Sequence, residues 1–326
     1  MISPFTGGHA TLKYENRELE YRKEKYPYVA QFYEDDETHE QFTTTEMDEA
    51  NLAQVYNQYR AAYSVPFVDE IIALREKYGL SALKMSAILG FGDNQYRQYE
   101  EGYMPSETNG KILKACQNPM IFETFVRNSR VQLGEKAYAK IMDKLAAAKK
   151  QPTDVRQTLI FGEGNRTESN GFAPMSLERL RNVLLFFIHE CGDVFNTKMN
   201  KLLFYADFYH YRQHGQAISG LSYKAIKYGP VPVHWDRAYS LFDDVRQEIV
   251  EFETGFTGTR LVATSQPDMD LFSESEKNTL RKIAETFVHM TAKEISLVSH
   301  DEEAWKRYVG TAQLVDFNTA FELKAI

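Results

Sequence analysis

The sequence has few cysteines and no long hydrophobic run. Only two cysteines occur in 326 residues, Cys116 and Cys191, and both lie in apolar helical patterns. We therefore expect them to be small core residues and not a disulfide. No apolar stretch approaches the ~20 residues that a membrane-spanning helix needs, and residues 1–11 lack the basic start and apolar stretch of a signal peptide. These absences predict a cytoplasmic protein with no membrane partner.

Excess positive charge is also missing. The formal net charge is −8, and residues 1–50 alone carry 12 acids and 5 bases, whereas residues 64–130 are neutral. An acidic chain is a poor non-specific binder of nucleic acid, because contacts to phosphates dominate non-specific affinity. Any binding to DNA would then need a local face and a dimer. The acidity also suits a protein that inhibits a basic partner.

Hydrophobic periodicity predicts a mainly α (α+β) fold. Residues 26–33 alternate aromatic and β-branched side chains, as a strand does, and residues 66–126 follow the helical period. Ser176 is placed to cap a helix over 177–190, and residues 246–262 form a hairpin pattern that could pack on its own helices or add to a partner's sheet. We predict four segments: a β-rich region 1–62, a helix-turn-helix domain 63–150, a linker 151–175 and a mostly helical domain 176–326.

The segment around residues 81–101 has the pattern of a helix-turn-helix. A helix capped by Ser81 ends at Leu89, the glycines of residues 90–93 make a tight turn, and a second helix follows over residues 94–101. Asn and Gln pair with adenine edges and Arg with guanine. A plain helical bundle with a polar face is the alternative. The predicted DNA-binding residues are Asn94, Gln95, Arg97 and Gln98.

The same segment resembles the DNA-binding half of MqsA-type antitoxins, over residues 80–102. In that family a small zinc-binding domain precedes the helix-turn-helix. Residues 3–8 resemble its Cys-Pro-x-x-Gly-Gly opening and residues 42–46 the segment after its second metal knuckle, but Ser3 stands where a cysteine would. A structural zinc site needs four soft ligands, so we expect neither zinc nor another cofactor.

The C-terminal part resembles the Panacea (SocA-like) domain over most of residues 177–310. The resemblance implies an antitoxin that neutralises a protein toxin by direct contact, and many such toxins resemble small alarmone synthetases. The matching stretches are residues 201–207, His210, and residues 220–225, 228–232 and 297–305. The residues of this motif, which are the candidates for toxin contact, are Lys201, Tyr205, Asp207, His210, Tyr223, Gly229, Pro230 and Val231.

The residues of this motif allow a catalytic and a structural interpretation. Asp207 and His210 are three residues apart on a helix and could meet, with Ser222 or Ser299 as nucleophile. No nucleophile elbow or phosphate-binding loop is present, so we predict no catalytic residue and no enzyme. In the structural interpretation, hydrogen bonds hold a fixed turn at residues 229–231, after which a helix begins.

The leading hypothesis is an antitoxin of a type II toxin–antitoxin system. It would bind its cognate toxin through the C-terminal domain and regulate its own operon by binding operator DNA as a homodimer. The first alternative is a proteolytic or phage-regulatory adaptor, which would cause turnover of its partner. The second is a transcription regulator that senses a small ligand, and an enzyme is the last.

Overall fold

A computed structural model describes the chain in four stretches, residues 1–149, 155–162, 164–253 and 255–326. It is 53% helical with 16% strand, which confirms the predicted mainly α (α+β) class. Residues 151–154 and 163 of the predicted linker lie outside the described residues, as does Thr254 of the predicted hairpin. In the described part, no helix is long and apolar enough to cross a membrane.

Helices and strands are numbered in chain order. The helices are α1 (Thr45–Tyr63), α2 (Val68–Tyr78), α3 (Ala82–Leu89), α4 (Gln95–Glu100), α5 (Glu107–Cys116), α6 (Pro119–Asn128), α7 (Arg130–Leu133), α8 (Glu135–Ala148), α9 (Val155–Phe161), α10 (Leu177–Cys191), α11 (Asn196–His214), α12 (Trp235–Ala238), α13 (Glu274–Phe287), α14 (Ala292–Ser299) and α15 (Glu303–Lys306). The strands are β1 (Ala10–Tyr21), β2 (Glu24–Asp35), β3 (Gln41–Phe42), β4 (Tyr223–Ile226), β5 (Gly229–Pro232), β6 (Val245–Glu251) and β7 (Thr257–Ala263). A 3₁₀ segment near the C-terminus spans Phe317–Glu322.

The described chain divides into two compact units. One consists of residues 1–55 together with 155–326, and the other consists of residues 56–154. The N-terminal β region, for which the sequence pattern predicted a segment of its own, thus shares a unit with the C-terminal half. Part of the predicted linker is packed as well, since Phe172 and Ala173 are fully buried.

An antiparallel hairpin, β1–β2, forms the N-terminal part of the first unit, and β3 pairs with the end of β2. Its two-residue turn has positive φ at Arg22 (50°) and Lys23 (72°), the geometry that matches the twist of paired strands. The strand predicted over residues 26–33 is confirmed as part of β2.

Amide side chains of α1 satisfy backbone groups of β2. Gln54 accepts from the Val29 N–H and donates to the Val29 carbonyl, both at 3.0 Å. Asn51 makes the equivalent pair with Gln31, at 2.9 and 3.0 Å. The Gln31 side chain then donates to the Arg212 carbonyl of α11 at 2.7 Å. The strand is therefore tied both to α1 and to the central helix of the unit.

Helix α11 lies at the centre of the first unit. Most of its residues are buried, on all sides of the helix, as expected for a helix enclosed by other elements. It contacts α13, α14, β5 and the C-terminal 3₁₀ segment. Helix α10 precedes it, and the predicted cap is confirmed: the Ser176 hydroxyl accepts from the Arg179 N–H at 3.3 Å.

The structure corrects the prediction for residues 229–235. Gly229, Pro230 and Val231 are not a turn that leads into a helix; they form β5, which pairs with β4 in register Ile226↔Gly229. The next helix, α12, begins only at Trp235. A Gly-Pro-Val-Pro stretch lacks strand alternation. Its prolines, which have no N–H, are tolerated because β5 has a strand neighbour on one side only among the described residues.

The second unit is a helical bundle around aromatic side chains. The rings of Tyr78 and Phe122 stack with centroids 4.2 Å apart, and the buried Tyr96 hydroxyl donates to the Ile71 carbonyl at 2.7 Å. Cys116 is buried in this core, as predicted for a small apolar residue. Gly134, which has a φ of +73°, separates α7 from α8.

Candidate functional site

The predicted motif residues of the C-terminal domain lie on α11 and on the β4–β5 hairpin beside it. The structure brings Asp207 and Tyr223 into one hydrogen-bonded cluster, and Lys201 into another with Gly229 and Pro230. It directs Tyr205 and His210 to other partners. The motif is therefore a set of separate attachments along one buried helix.

Asp207 holds the chain that follows α11. Its buried carboxylate accepts from the backbone N–H groups of Ile218 and Ser219, at 2.9 and 2.8 Å, and from the Ser219 hydroxyl. The Tyr223 hydroxyl donates to it at 2.6 Å. Burial raises the pKa of the Asp207 carboxyl, and the four donors oppose that rise. Asp207 thus fixes the loop between α11 and β4.

Lys201 joins α11 to β5. Its side chain is fully buried, and its Nζ donates to the Pro230 carbonyl at 2.9 Å. Burial lowers the pKa of Lys201 to about 7. The neighbouring Gly229 has a φ of +102°, and a Cβ there would lie 2.3 Å from Ser299 Oγ and 2.5 Å from Lys201 Cε. Glycine is required at this position both for its backbone angle and for the close approach of α11 and α14.

Tyr205 is bonded to Glu302, a residue to which the sequence pattern assigns no role. Its hydroxyl donates at 3.2 Å to Glu302, whose buried carboxylate also accepts from the N–H groups of Lys324 and Ala325, at 2.9 and 3.1 Å. Burial raises the pKa of Glu302. Glu302 lies inside the quoted motif at residues 297–305, but nothing local indicates that it anchors a segment more than twenty residues away.

The catalytic alternative for Asp207 and His210 finds no support in the geometry. His210 Nδ1 is 2.9 Å from Thr279 Oγ1 on α13, while Asp207 is engaged with residues 218–223. Burial lowers the pKa of His210 well below its usual value. The candidate nucleophile Ser299 is fully buried and donates to the Ser296 carbonyl at 2.7 Å. The contact between Asp207 and His210 on which the catalytic alternative depends is not formed, because tertiary partners hold each of them.

Helices α3 and α4 lie where the sequence predicts the two helices of a helix-turn-helix. The Ser81 hydroxyl caps α3 by accepting from the Lys84 N–H at 3.3 Å, and Gly90 ends the helix in the left-handed conformation. On α4, Tyr96 and Tyr99 are buried. Of the predicted DNA-binding side chains, those of Asn94, Arg97 and Gln98 are exposed and that of Gln95 is half-buried.

Three of these four side chains, those of Gln95, Arg97 and Gln98, make local hydrogen bonds. Arg97 Nε donates to Glu101 at 2.9 Å, and Gln95 donates to Gln98 at 3.2 Å. Exposed pairs of this kind contribute little to stability and exchange readily for other partners. The arrangement leaves these side chains able to reach a ligand.

The C-terminal domain also carries surface features that were not in the predicted site. The predicted hairpin over residues 246–262 is confirmed as β6–β7, and it presents Ile249 and Phe256 to solvent. Near Phe252 of this hairpin, the first residues of α11 and α14 line an open cavity of about 880 Å³. Phe195, Asn196 and Trp235 also line it. Within the described residues no group of His, Cys, Asp or Glu is arranged to hold a metal.

Residues 199–306 match the family model described as the antitoxin SocA-like, Panacea domain. The match spans about a third of the chain and contains every predicted motif residue of the C-terminal domain. It supports an antitoxin role for the protein. No curated protein and no solved structure matches the chain. The match does not extend to residues 63–150, so the resemblance of that segment to MqsA-type antitoxins stays a prediction.

Proposed function

We propose that this protein is the antitoxin of a type II toxin–antitoxin pair and silences a protein toxin by binding it directly. The observation that carries the proposal is the Panacea-domain match over residues 199–306. Its polar motif residues make hydrogen bonds within the domain, as Asp207 and Lys201 show. Groups buried in this way shape the domain and are not available for chemistry on a substrate. The toxin is then recognised by the surface that these attachments hold in place.

The helix-turn-helix gives the second part of the proposal, control of the operon. Exposed Arg97 and Gln98 on α4 have the chemistry to contact guanine and adenine edges. Residues 64–130 have no excess of positive charge, so one copy would bind DNA weakly. A dimer on two half-sites about one helical turn apart, ~34–36 Å, would supply the missing phosphate contacts.

The test is co-expression with the neighbouring gene, whose product is expected to be a toxin of the small alarmone synthetase type. Expressed alone, that product should stop growth, and this protein should restore it. An Arg97→Ala variant should restore growth as well as the parent does, because neutralisation is assigned to the other unit. Failure of the parent protein to restore growth, or the absence of a toxic neighbour, would refute the proposal.

One observation favours a second candidate, a transcription regulator that senses a small ligand. The cavity of about 880 Å³ beside α11 has the size of a ligand pocket. The side-chain carbonyl oxygen of Asn196, which lines it, is buried without a hydrogen-bond partner among the described residues. This candidate predicts that a metabolite shifts the affinity for operator DNA in the absence of any protein partner, which an anisotropy titration with and without cell metabolites would detect.

A further inference from the structure

One face of the hairpin β6–β7 is buried at the base of the hairpin and exposed towards its tip. Side chains at alternate positions of a strand share one face, so Val245, Gln247, Ile249 and Glu251 lie together on β6. At the base this face is covered, since Val245 is buried, as is Leu261 opposite Gln247. Two positions further along, Ile249 is 81% exposed. Beyond the exposed Gln247, Ile249 is therefore an exposed apolar side chain among polar neighbours, and no element among the described residues covers it.

The same residues present free backbone groups at the edge of the sheet. The sheet has two strands, so β6 has a neighbour on one side only among the described residues. The Phe252 N–H donates to the Phe256 carbonyl at 2.8 Å, which makes 252↔256 a hydrogen-bonded pair. Such pairs alternate with non-bonded ones, and the register then directs the N–H and C=O groups of Ile249 and Glu251 away from β7. Leu261 follows the same alternation on β7, where its N–H points outward and donates to the Val194 carbonyl at 2.8 Å.

The charge around this edge selects the kind of strand that can join it. Residues 243–260 contain five acids and two bases, and one of the acids, Asp244, is already paired with Arg181 of α10. The two arginines do not balance the outer end of the hairpin, because Arg260 is already paired with Glu248 at 2.9 Å while Glu251 and Glu253 are exposed. A second copy of this hairpin would carry the same net negative charge, so electrostatics favours a basic partner over a second copy. A strand rich in Lys or Arg would be attracted.

We infer that β6 is the docking edge for the toxin, and that an exposed basic strand of the toxin adds to it with Ile249 and Phe256 as apolar anchors. The inference rests on the proposed function and names the surface that carries it out. Main-chain hydrogen bonds along residues 247–251 supply affinity in this mode, and side chains on alternate positions supply specificity. The charged side chains of Arg246, Glu248 and Glu251 protect this edge against uncharged strands, and their net negative charge leaves it open to a basic one.

The experiment measures binding of the purified product of the neighbouring gene to the full-length protein by calorimetry. Ile249→Lys should weaken binding about 30-fold or more, the loss typical of a central anchor. Leu159→Lys is its matched control, since Leu159 on α9 is 79% exposed in the same unit but far from β6 in sequence. Glu251→Pro removes an N–H that points away from β7, and Glu251→Gln removes the same charge while keeping that N–H. The proline variant should bind at least 10-fold more weakly than the glutamine variant.

The outcomes separate this inference from the function on which it rests. If the parent protein neutralises the toxin while Ile249→Lys and Glu251→Pro bind it as the parent does, the docking edge is wrong and the antitoxin function stands. If Glu251→Pro and Glu251→Gln bind equally, strand addition is wrong. If the variants instead change the oligomeric state of the protein alone, the edge joins two copies of this chain. If the parent protein neither binds nor neutralises the toxin, both proposals fail.

Discussion

Replacing Asp207 with alanine tests the role assigned to the buried motif. The carboxylate is the common acceptor for the N–H groups of Ile218 and Ser219 and for the hydroxyls of Ser219 and Tyr223. All of these donors are buried, in a space from which water is excluded. The Ser219 hydroxyl can rotate towards another acceptor, so alanine leaves three donors without a partner. The loop between α11 and β4 would lose its attachment to the central helix.

The magnitude follows from the number of orphaned donors. Each buried donor left without a partner costs about 1–3 kcal/mol. Three of them give roughly 3–6 kcal/mol once some rearrangement is allowed, against a total stability of about 5–15 kcal/mol for a typical protein. Tyr223→Phe removes only one donor and leaves the others in place, so it should cost about 1–2 kcal/mol.

Tryptophan fluorescence during urea unfolding is the suitable assay. The chain has two tryptophans, Trp235 and Trp305, and both lie in the unit that contains Asp207, so unfolding of the other unit does not contribute to the signal. With a urea slope of about 2–3 kcal/mol per molar, Asp207→Ala should lower the midpoint by roughly 1–3 M. Asp270→Ala, at an exposed aspartate, is the control and should change stability by no more than ~0.5 kcal/mol.

The reasoning would be refuted if Asp207→Ala unfolded at the same urea concentration as the control. It would also be refuted if Tyr223→Phe cost as much as Asp207→Ala, because the carboxylate would then not be the shared acceptor. A variant too unstable to purify can be replaced by Asp207→Asn, which keeps an acceptor for the backbone N–H groups. Asp207→Asn should be less stable than the parent protein and more stable than the double variant that carries Tyr223→Phe and Ser219→Ala.

Three further predictions concern the other attachments and helix α4, for which DNA binding is proposed. Gly229→Ala should destabilise the same unit by about 2–4 kcal/mol, because its Cβ would meet Ser299 Oγ and its φ of +102° is strained for alanine; an unchanged urea midpoint would contradict this. Burial lowers the pKa of Lys201 to about 7, so between pH 7 and 8.5 the unfolded chain binds more protons than the folded one and stability should rise with pH. The rise should be at most about 1.4 kcal/mol per pH unit and should disappear in Lys201→Met, and an identical slope in that variant would exclude it. Arg97→Ala should weaken binding to the operator by about 1–3 kcal/mol in fluorescence anisotropy, whereas Glu101→Gln, which only releases Arg97 from its ion pair, should not; equal affinities for Arg97→Ala and the parent would contradict the assigned contact.

Local patterns predicted the elements whose determinants are local. Ser81 and Ser176 cap their helices as expected, since a cap depends on a hydroxyl and an N–H three residues later. The strand around residues 26–33 was recognisable from its alternation. The strand β5 was missed, because the pairing of Gly229–Pro232 depends on β4 and not on any periodicity of its own.

The partners of the motif residues could not be predicted from spacing. Asp207 and His210 are near neighbours on a helix surface, yet each turns to a residue brought in by tertiary packing, Ser219 for one and Thr279 for the other. Glu302 anchors Lys324 by a contact that no helical or strand period encodes. The packing of the N-terminal hairpin in the same unit as the C-terminal half likewise depends on contacts far apart in sequence, such as Gln31 with Arg212.

The central claim is that the protein acts by stoichiometric, non-covalent binding. It is tested most directly by titrating it into a fixed amount of the active neighbouring toxin and measuring residual toxin activity after short and long incubations. Inhibition should be complete at an equimolar ratio, should not deepen with time, and should reverse when the complex is dissociated and the toxin recovered. Loss of toxin activity at a small fraction of the equimolar amount, growing with time and persisting in the recovered toxin, would show that the protein modifies its partner and would contradict the account.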